Sequence, residues 1–478
     1  MPRVEGLTGP GEGTPGIIMA GFDLGRVGYT LEEFFLESTA TSFEPAGPLG
    51  ADGCWQVAPA ARAPFTTRLV VCRPDRQAFT GTVILEWLNV SAGFDAPAHW
   101  MLTHRQVVRA GWAWVGVSAQ RAGVEGGNIF DTARAEPDEG SRRVMVLPAL
   151  KESDPARYGN LHHPGDAFCF DIFTRAARAV RGGGVLGSLP VECLLAAGQS
   201  QSAIHLVSYV NAVAPLVPAD AACDGYLIGS RTGFAAPLTG WDGRIRTEGP
   251  DGVRVRTDGR APVLTVQTES DVTGVLAGVT ARQPDSDRFR WWEIAGAAHA
   301  DTYLLGASFS DSGELPIAEL ARQMAPTAEP LGIPCPVPVN SGPQHHYVAQ
   351  AAIAHLDRWA RGGPPPPSSP WLETDAERRL VTDEAGIARG GIRTGWVDVP
   401  VAALSGLTPP GAAGVGILLG STRVFDDAEL ARRYPAGRDE YAAAFREATA
   451  RAAAAGFVLE QDVDEMVALA AAAYPAPA

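Results

Sequence analysis

Residues 194–206 place a serine where a predicted strand gives way to a predicted helix. The segment reads LLAAGQSQSAIHL, in which Gly198, Ser200 and Ser202 form a Gly-x-Ser-x-small pattern. Side chains two residues before and after a serine in such a sharp turn would collide, so both positions must be small. The turn holds the serine in a strained backbone with its hydroxyl exposed, and the pattern therefore predicts Ser200 as a nucleophile.

The predicted nucleophile needs a base, because a serine hydroxyl at its ordinary pKa reacts poorly and an acid must orient that base. His299 lies in AGAAHAD, directly after the predicted strand 289–294. Small residues suit a loop that brings an imidazole against Ser200, so His299 is predicted as the base. The other eight of the nine histidines do not follow a strand in the expected order; they are His99, His104, His162, His163, His205, His345, His346 and His355.

Two carboxylates compete for the role of the acid. The predicted strand 262–267 is followed by TESDV, which contains Glu269 and Asp271. The acid is expected after a strand that lies between the serine and the histidine in the chain. The spacing from Pro262 favours Asp271, and Glu269 remains the alternative acid or a neighbouring structural carboxylate.

An oxyanion that develops during acyl transfer needs hydrogen-bond donors. One predicted donor is the backbone N–H of Gln201, the residue after the nucleophile. The second is expected from NVSAG, the loop after the predicted strand 82–88, where Asn89 and Val90 are the candidates. An ordinary Asn/Ser/Gly turn explains the same loop equally well.

Three aromatic residues lie close in sequence to these segments. Trp87, Trp292 and Tyr303 are predicted to line an apolar pocket for the acyl or alcohol part of a substrate. Isolated aromatic residues also belong to the core of most proteins, so packing is the competing interpretation.

Composition excludes several classes of protein. The 478 residues are 46% hydrophobic and 19% charged, which suits a folded chain with a substantial core. The net charge of -15 disfavours nucleic-acid binding, and no apolar run is long enough to span a membrane. No signal peptide is visible, so a cytoplasmic location is expected. The six cysteines include no C-x-x-C pair, and neither a metal site nor a nucleotide-binding glycine motif is found.

Strands that alternate with helical stretches predict an α/β fold, with a mostly parallel sheet and helices on both faces. Residues 1–405 are predicted as one domain with lid-like insertions at about 120–160, 230–260 and 304–344. Residues 406–478 are predicted as a helical extension packed on it. The Ala-rich part of that extension, 427–473, has the spacing of a helix pair and suits packing or contact with a second copy of the chain.

Several of these motifs together resemble a known family. GQSQSAIHLVSYVNAV, PVLTVQTESDV, ARQPDSDRFRWWEIAGAAHAD, LEWLNVSAG and GGIRTGWVDVP are similar to the bacterial alpha/beta hydrolase domain-containing proteins, an esterase-like branch of the α/β-hydrolase superfamily. The resemblance extends from about residue 21 to about residue 404. It implies an α/β-hydrolase core, hydrolysis of carboxylic esters without a cofactor, and Ser200, His299 and Asp271 as nucleophile, base and acid.

The expected activity is therefore hydrolysis of a small-molecule ester through an acyl-enzyme. A lactonase, amidase, thioesterase or acyltransferase would use the same three side chains, because these reactions differ in the leaving group or the acceptor. A non-catalytic binding protein that retains the fold is the alternative from another class.

Overall fold

One sheet forms the centre of the protein. The computed structural model describes residues 7–8, 15–127, 148–187, 189–241, 252–412 and 414–475, and within them nine strands join this sheet. The strands are β1 (Leu7–Thr8), β2 (Tyr29–Pro45), β3 (Val57–Pro74), β4 (Thr82–Trp87), β5 (Ala113–Val117), β6 (Cys193–Gln199), β7 (Gly225–Gly229), β8 (Val263–Thr268) and β9 (Phe289–Ile294).

The sheet is antiparallel at one side and parallel over the rest. Its strand order is β1-β2-β3-β5-β4-β6-β7-β8-β9, and the pairs from β5 to β9 are all parallel. Trp87 at the end of β4 lies opposite Gly198 of β6, and Thr268 at the end of β8 lies opposite Ile294 of β9. Because these strands end together, the residues that follow them share the carboxyl edge of the sheet.

The helices cover both faces of the sheet or extend beyond it. They are α1 (Ala98–Arg109), α2 (Arg121–Glu125), α3 (Leu150–Ser153), α4 (Pro155–Tyr158), α5 (Cys169–Arg181), α6 (Gln201–Ser208), α7 (Glu269–Val272), α8 (Thr302–Leu305), α9 (Ile317–Gln323), α10 (Gln344–Ala360), α11 (Gly395–Asp398), α12 (Asp427–Arg433), α13 (Arg438–Ala454) and α14 (Val463–Ala472).

Alternation along the strands divides the core into two layers, because successive side chains of a strand point to opposite faces. In β4, Val83, Leu85 and Trp87 pack with α5 and α6, whereas Ile84 packs with α1 and α10 on the other face. This arrangement confirms the predicted α/β class, with helices on both faces of a mostly parallel sheet.

The C-terminal region begins with a hairpin and continues as helices. Strands β10 (Ala402–Ser405) and β11 (Ser421–Val424) pair antiparallel, so the predicted boundary after residue 405 falls between the two strands of one hairpin. The sequence predicts a helix pair over 427–473, whereas the structure has three helices in this segment, α12, α13 and α14. Arg105 of α1 binds Glu465 of α14 at 2.7 Å, and Arg109 binds Asp462 at 2.7 Å, which fastens this region to the sheet domain.

The largest departure from the sequence prediction is the long pair β2 and β3. From the sequence, a candidate strand is expected only around residues 67–72. The preceding VAPAARAP contains prolines and small residues, which are uncommon in strands. In the structure β3 begins at Val57, since β2 pairs with β3 along the whole length of the strand.

Residues 128–147 and 242–251, which belong to two of the predicted insertions, lie outside the described residues.

Candidate active site

Ser200 occupies the turn between β6 and α6. Its φ of 60° and ψ of -122° lie in a region that residues other than glycine rarely adopt. A Cβ atom on Gly198 would lie 3.1 Å from the carbonyl of Ser202, which explains the glycine. The Ser202 hydroxyl accepts from the backbone N–H of Gln199 at 2.9 Å and donates to its carbonyl at 3.0 Å. Ser202 is therefore small enough for the crowded turn, and its hydroxyl also stabilises the turn by binding the backbone of Gln199.

The imidazole of His299 lies between the side chains of Ser200 and Asp271. Its Nε2 is 2.8 Å from Ser200 Oγ, and its Nδ1 is 2.6 Å from Asp271 Oδ1. Asp271 is fully buried, whereas Ser200 is half-buried. The structure therefore brings the predicted nucleophile, base and favoured acid into one hydrogen-bonded row at the carboxyl edge of the sheet.

The carboxylate of Asp271 is held in its ionised form. Burial alone would raise its pKa, but the charge of His299 and the hydrogen bonds to it outweigh burial and lower the pKa below its ordinary value. Asp271 Oδ2 accepts from the backbone N–H and from the hydroxyl of Thr268, each at 2.7 Å. These bonds come from the end of β8, so the strand itself orients the carboxylate toward His299.

Glu269, the alternative acid, points elsewhere. Its Oε1 accepts from the backbone N–H of Gly296 at 2.5 Å, and its Oε2 accepts from the backbone N–H of Gly406 at 2.7 Å. Burial raises the pKa of Glu269 to about 7, although these backbone bonds lower it. Of the two carboxylates, Asp271 is the one that contacts the imidazole of His299.

The predicted oxyanion donors differ in how their N–H groups are used. Among the described residues, no acceptor binds the backbone N–H of Gln201 at the start of α6. The backbone N–H of Asn89 donates to the carbonyl of Ala96 at 3.0 Å, so Asn89 does not provide a free backbone donor. The backbone N–H of Val90 donates to Gln201 Oε1 at 3.2 Å, a long bond for this pair of groups.

A buried group of polar side chains supports Gln201, and the sequence analysis did not identify it. Gln201 Nε2 donates to Gln120 Oε1 at 2.9 Å, and the same oxygen accepts from Trp87 Nε1 at 3.1 Å. His205 Nδ1 lies 3.2 Å from the carbonyl of Gln201, and burial lowers the pKa of this histidine. Gln120 follows β5 at the same sheet edge, and that position after a parallel strand is the signal that points to it.

The three aromatic residues predicted to line a pocket are packed in the interior. Trp87 stacks on Phe173 with ring centroids 4.9 Å apart. Trp292 donates from Nε1 to the carbonyl of Pro367 at 2.8 Å. Tyr303 donates to Asp311 at 2.9 Å. We therefore assign all three to the core, because their side chains are almost completely buried and bind these partners.

Among the residues that the structure describes, no three or more His, Cys, Asp or Glu side chains are grouped so as to hold a metal ion. None of the described helices has both the length and the apolar character that crossing a bilayer requires.

The parallel sheet and the strand–serine–helix turn at its carboxyl edge define a protein of the α/β-hydrolase class. The model of the alpha/beta hydrolase domain family matches residues 3–468, and the chain belongs to this family. A comparison with curated proteins finds no match.

The solved structures to which the chain is similar include two esterases and a putative dienelactone hydrolase. An esterase from Pseudomonas putida is 15% identical, with a TM-score of 0.31 over 64% of this chain and 82% of that one. A putative dienelactone hydrolase from Klebsiella pneumoniae is 12% identical, with a TM-score of 0.29 over 58% and 92%. An esterase structure from Rhizomucor miehei is 14% identical, with a TM-score of 0.28 over 59% and 85%.

Proposed function

We propose that the protein is a serine hydrolase that cleaves small carboxylic esters through an acyl-enzyme. One observation carries the proposal: the ring of His299 contacts Ser200 Oγ at 2.8 Å and Asp271 Oδ1 at 2.6 Å. A base in contact with a hydroxyl, and oriented by a carboxylate, is the arrangement that activates serine toward a carbonyl group.

The first half of the proposed reaction forms the acyl-enzyme. Ser200 Oγ attacks the ester carbonyl while His299 Nε2 takes the hydroxyl proton, giving a tetrahedral intermediate with a negative oxygen. The C–O bond to the alcohol then breaks, and His299 returns the proton to the leaving alkoxide. In the second half, water attacks the acyl carbon while His299 Nε2 takes a proton from the water. The bond between the acyl carbon and Ser200 Oγ then breaks, His299 returns the proton to Oγ, and the carboxylic acid leaves.

Asp271 contributes in two ways. Its contact with Nδ1 fixes the tautomer in which Nε2 carries a lone pair toward the Ser200 hydroxyl. Its ionised carboxylate also stabilises the imidazolium of His299 during each proton transfer. Full burial of Asp271 strengthens both effects, because water does not screen the interaction.

The negative oxygen of the intermediate needs two donors. Gln201 is the first, since its backbone N–H lies at the start of α6 and has no acceptor among the described residues. Val90 is the second, and the oxyanion must then replace Gln201 Oε1 as the acceptor of its N–H. A charged oxygen is the stronger acceptor, so this exchange is favourable.

The decisive experiment compares the wild-type protein with Ser200→Ala on p-nitrophenyl acetate and p-nitrophenyl butyrate. We expect the variant to lose several orders of magnitude in kcat, because the three side chains act as a unit. Ser42→Ala is the matched control, since the hydroxyl of Ser42 hydrogen-bonds to the backbone of Ala61 in β3. Undiminished hydrolysis by Ser200→Ala would disprove the proposal.

A substrate panel separates ester hydrolysis from the related reactions. Lactones, thioesters and anilides test the leaving group, and an added alcohol tests whether an acceptor other than water resolves the acyl-enzyme. Esters are proposed ahead of amides because an alkoxide is a much weaker base than an amide anion and therefore leaves more readily. Faster turnover of another class by the same Ser200-dependent site would reassign the substrate and keep the mechanism.

A further inference from the structure

The loop that carries His299 is fastened to a distant part of the chain. We define residues 295–301 as the histidine loop. The carboxylate of Glu269 accepts one backbone N–H from Gly296 in this loop, at 2.5 Å, and a second from Gly406, at 2.7 Å. Gly406 follows β10 and is 137 residues away from Glu269 in the chain. A single buried carboxylate therefore joins the histidine loop to the C-terminal hairpin.

A second connection runs through the neighbouring serine. The backbone N–H of His299 donates to Ser270 Oγ at 3.1 Å, and the Ser270 hydroxyl donates to the carbonyl of Gly406 at 2.5 Å. Both polar groups of the Gly406 backbone are thus bound by the adjacent side chains of Glu269 and Ser270. The hydrogen bond from the His299 N–H to Ser270 Oγ also fixes the backbone position of His299 directly.

The contact with Gly406 is too close for any larger residue. A Cβ atom on Gly406 would lie 2.4 Å from the carbonyl oxygen of Ala297 and 2.5 Å from Glu269 Cβ. On the other side, Asn340 Nδ2 donates to the carbonyl of Gly296 at 2.8 Å and to that of Ser405 at 3.0 Å. The backbones of the histidine loop and of the segment after β10 are therefore in direct contact, and the side chains of Glu269 and Asn340 each bind both of them.

We propose that Glu269 and Ser270 are positioning residues, which hold the histidine loop against Ser405 and Gly406 so that His299 stays within reach of Ser200. The proposal rests on the proposed hydrolase function. It makes the hairpin beyond β9 a part of the active-site support, although the hairpin contributes no group to the row formed by Ser200, His299 and Asp271.

The carboxylate of Glu269 is specifically suited to this role. Both of its oxygens face N–H donors, and an amide in its place has one acceptor oxygen and one donor nitrogen. Glu269→Gln therefore sets an N–H group against either Gly296 or Gly406 and displaces the loop. Misplacement of a catalytic group by about 1 Å costs about 100-fold in rate. Because the loop is expected to move by less than this, we expect kcat to fall by about 10- to 100-fold.

The test measures kcat and KM of Glu269→Gln with p-nitrophenyl butyrate, together with the rate at which a fluorophosphonate labels Ser200. We expect kcat and the labelling rate to fall together while KM stays within about twofold, because substrate contacts are unchanged. Glu86→Gln is the matched control: Glu86 is also buried and accepts two backbone N–H groups, from His99 and Trp100. Its kcat is expected to stay near the wild-type value.

Each outcome decides the proposal. A folded Glu269→Gln with wild-type kcat, or an equal loss of kcat in Glu86→Gln, overturns it. Where Glu269→Gln does not fold, Ser270→Ala decides, since it removes only the bonds to His299 and Gly406; reduced kcat supports the proposal and unchanged kcat overturns it. Ser200→Ala separates the two levels: if that variant remains active, the proposed function itself has failed.

Discussion

The imidazole of His299 and the carboxylate of Asp271 meet at 2.6 Å in an environment closed to water on the side of the acid. Asp271 Oδ2 is bound by Thr268, so Oδ1 is the oxygen directed at the ring. The relationship explains why the pKa of Asp271 lies below its ordinary value in spite of burial.

Asp271→Asn tests this relationship directly. The amide keeps the size of the side chain but removes the charge and favours the wrong tautomer of His299, so we expect kcat to fall by about 10³- to 10⁴-fold. Steady-state kinetics with p-nitrophenyl butyrate measures the loss. Asp258→Asn is the control, because Asp258 pairs with Arg256 at the surface. Wild-type turnover by Asp271→Asn would show that another group orients the imidazole.

Gln120 is predicted to stabilise the fold next to the nucleophile. Its Oε1 accepts from Trp87 and from Gln201, so Gln120→Leu removes the acceptor of Trp87 Nε1 and one of the two partners of Gln201 Nε2, which also lies 3.2 Å from His205 Nδ1. We expect a loss of about 1–3 kcal/mol in the free energy of unfolding, measured with urea. Gln323→Leu, which removes hydrogen bonds near the surface of α9, is expected to cost less. Equal losses in the two variants would contradict this role.

Three buried carboxyl groups predict a loss of stability as the pH rises. Burial raises the pKa of Glu86, Glu269 and Asp301 to about 7 in each case. In the unfolded chain these carboxyl groups release their protons at lower pH, so between the two pKa values the folded protein binds more protons than the unfolded chain. The folded protein is therefore more stable in acid, and this part of the free energy of unfolding is lost as the pH rises through about 7. For Glu86 the full effect is about 3 kcal/mol, from the shift between 4.5 and about 7.

Urea unfolding of the wild-type protein and of Glu86→Gln at several pH values between 5 and 8 measures this effect. The variant cannot ionise at position 86, so its stability is expected to fall less steeply over that range. Parallel curves for the two proteins would show that Glu86 does not titrate in this window.

The sequence predicts best those features that depend on local structure. The turn at Ser200 requires only a strand, small neighbours and a helix, all within residues 194–206. The α/β class follows in the same way from strands that alternate with helical stretches. His299 is predictable because it lies just after β9, and the ends of parallel strands share one edge of the sheet.

The remaining features depend on contacts that the sequence does not reveal. Glu269 and Asp271 are two residues apart, and their tertiary partners separate their roles: Glu269 binds backbone groups 27 and 137 residues away, whereas Asp271 binds His299. The N–H of Asn89 is used because the chain turns back to Ala96. Trp87 is buried because side chains alternate along β4 and this one points to the face covered by α5 and α6.

Covalent labelling is the most direct test of the central claim that Ser200 is an activated nucleophile. Intact-mass analysis after treatment with a fluorophosphonate is expected to show one adduct per wild-type chain, located on Ser200 by peptide mapping, and none on Ser200→Ala. An unlabelled wild-type protein that is demonstrably folded, or equal labelling of Ser200→Ala, would contradict the account.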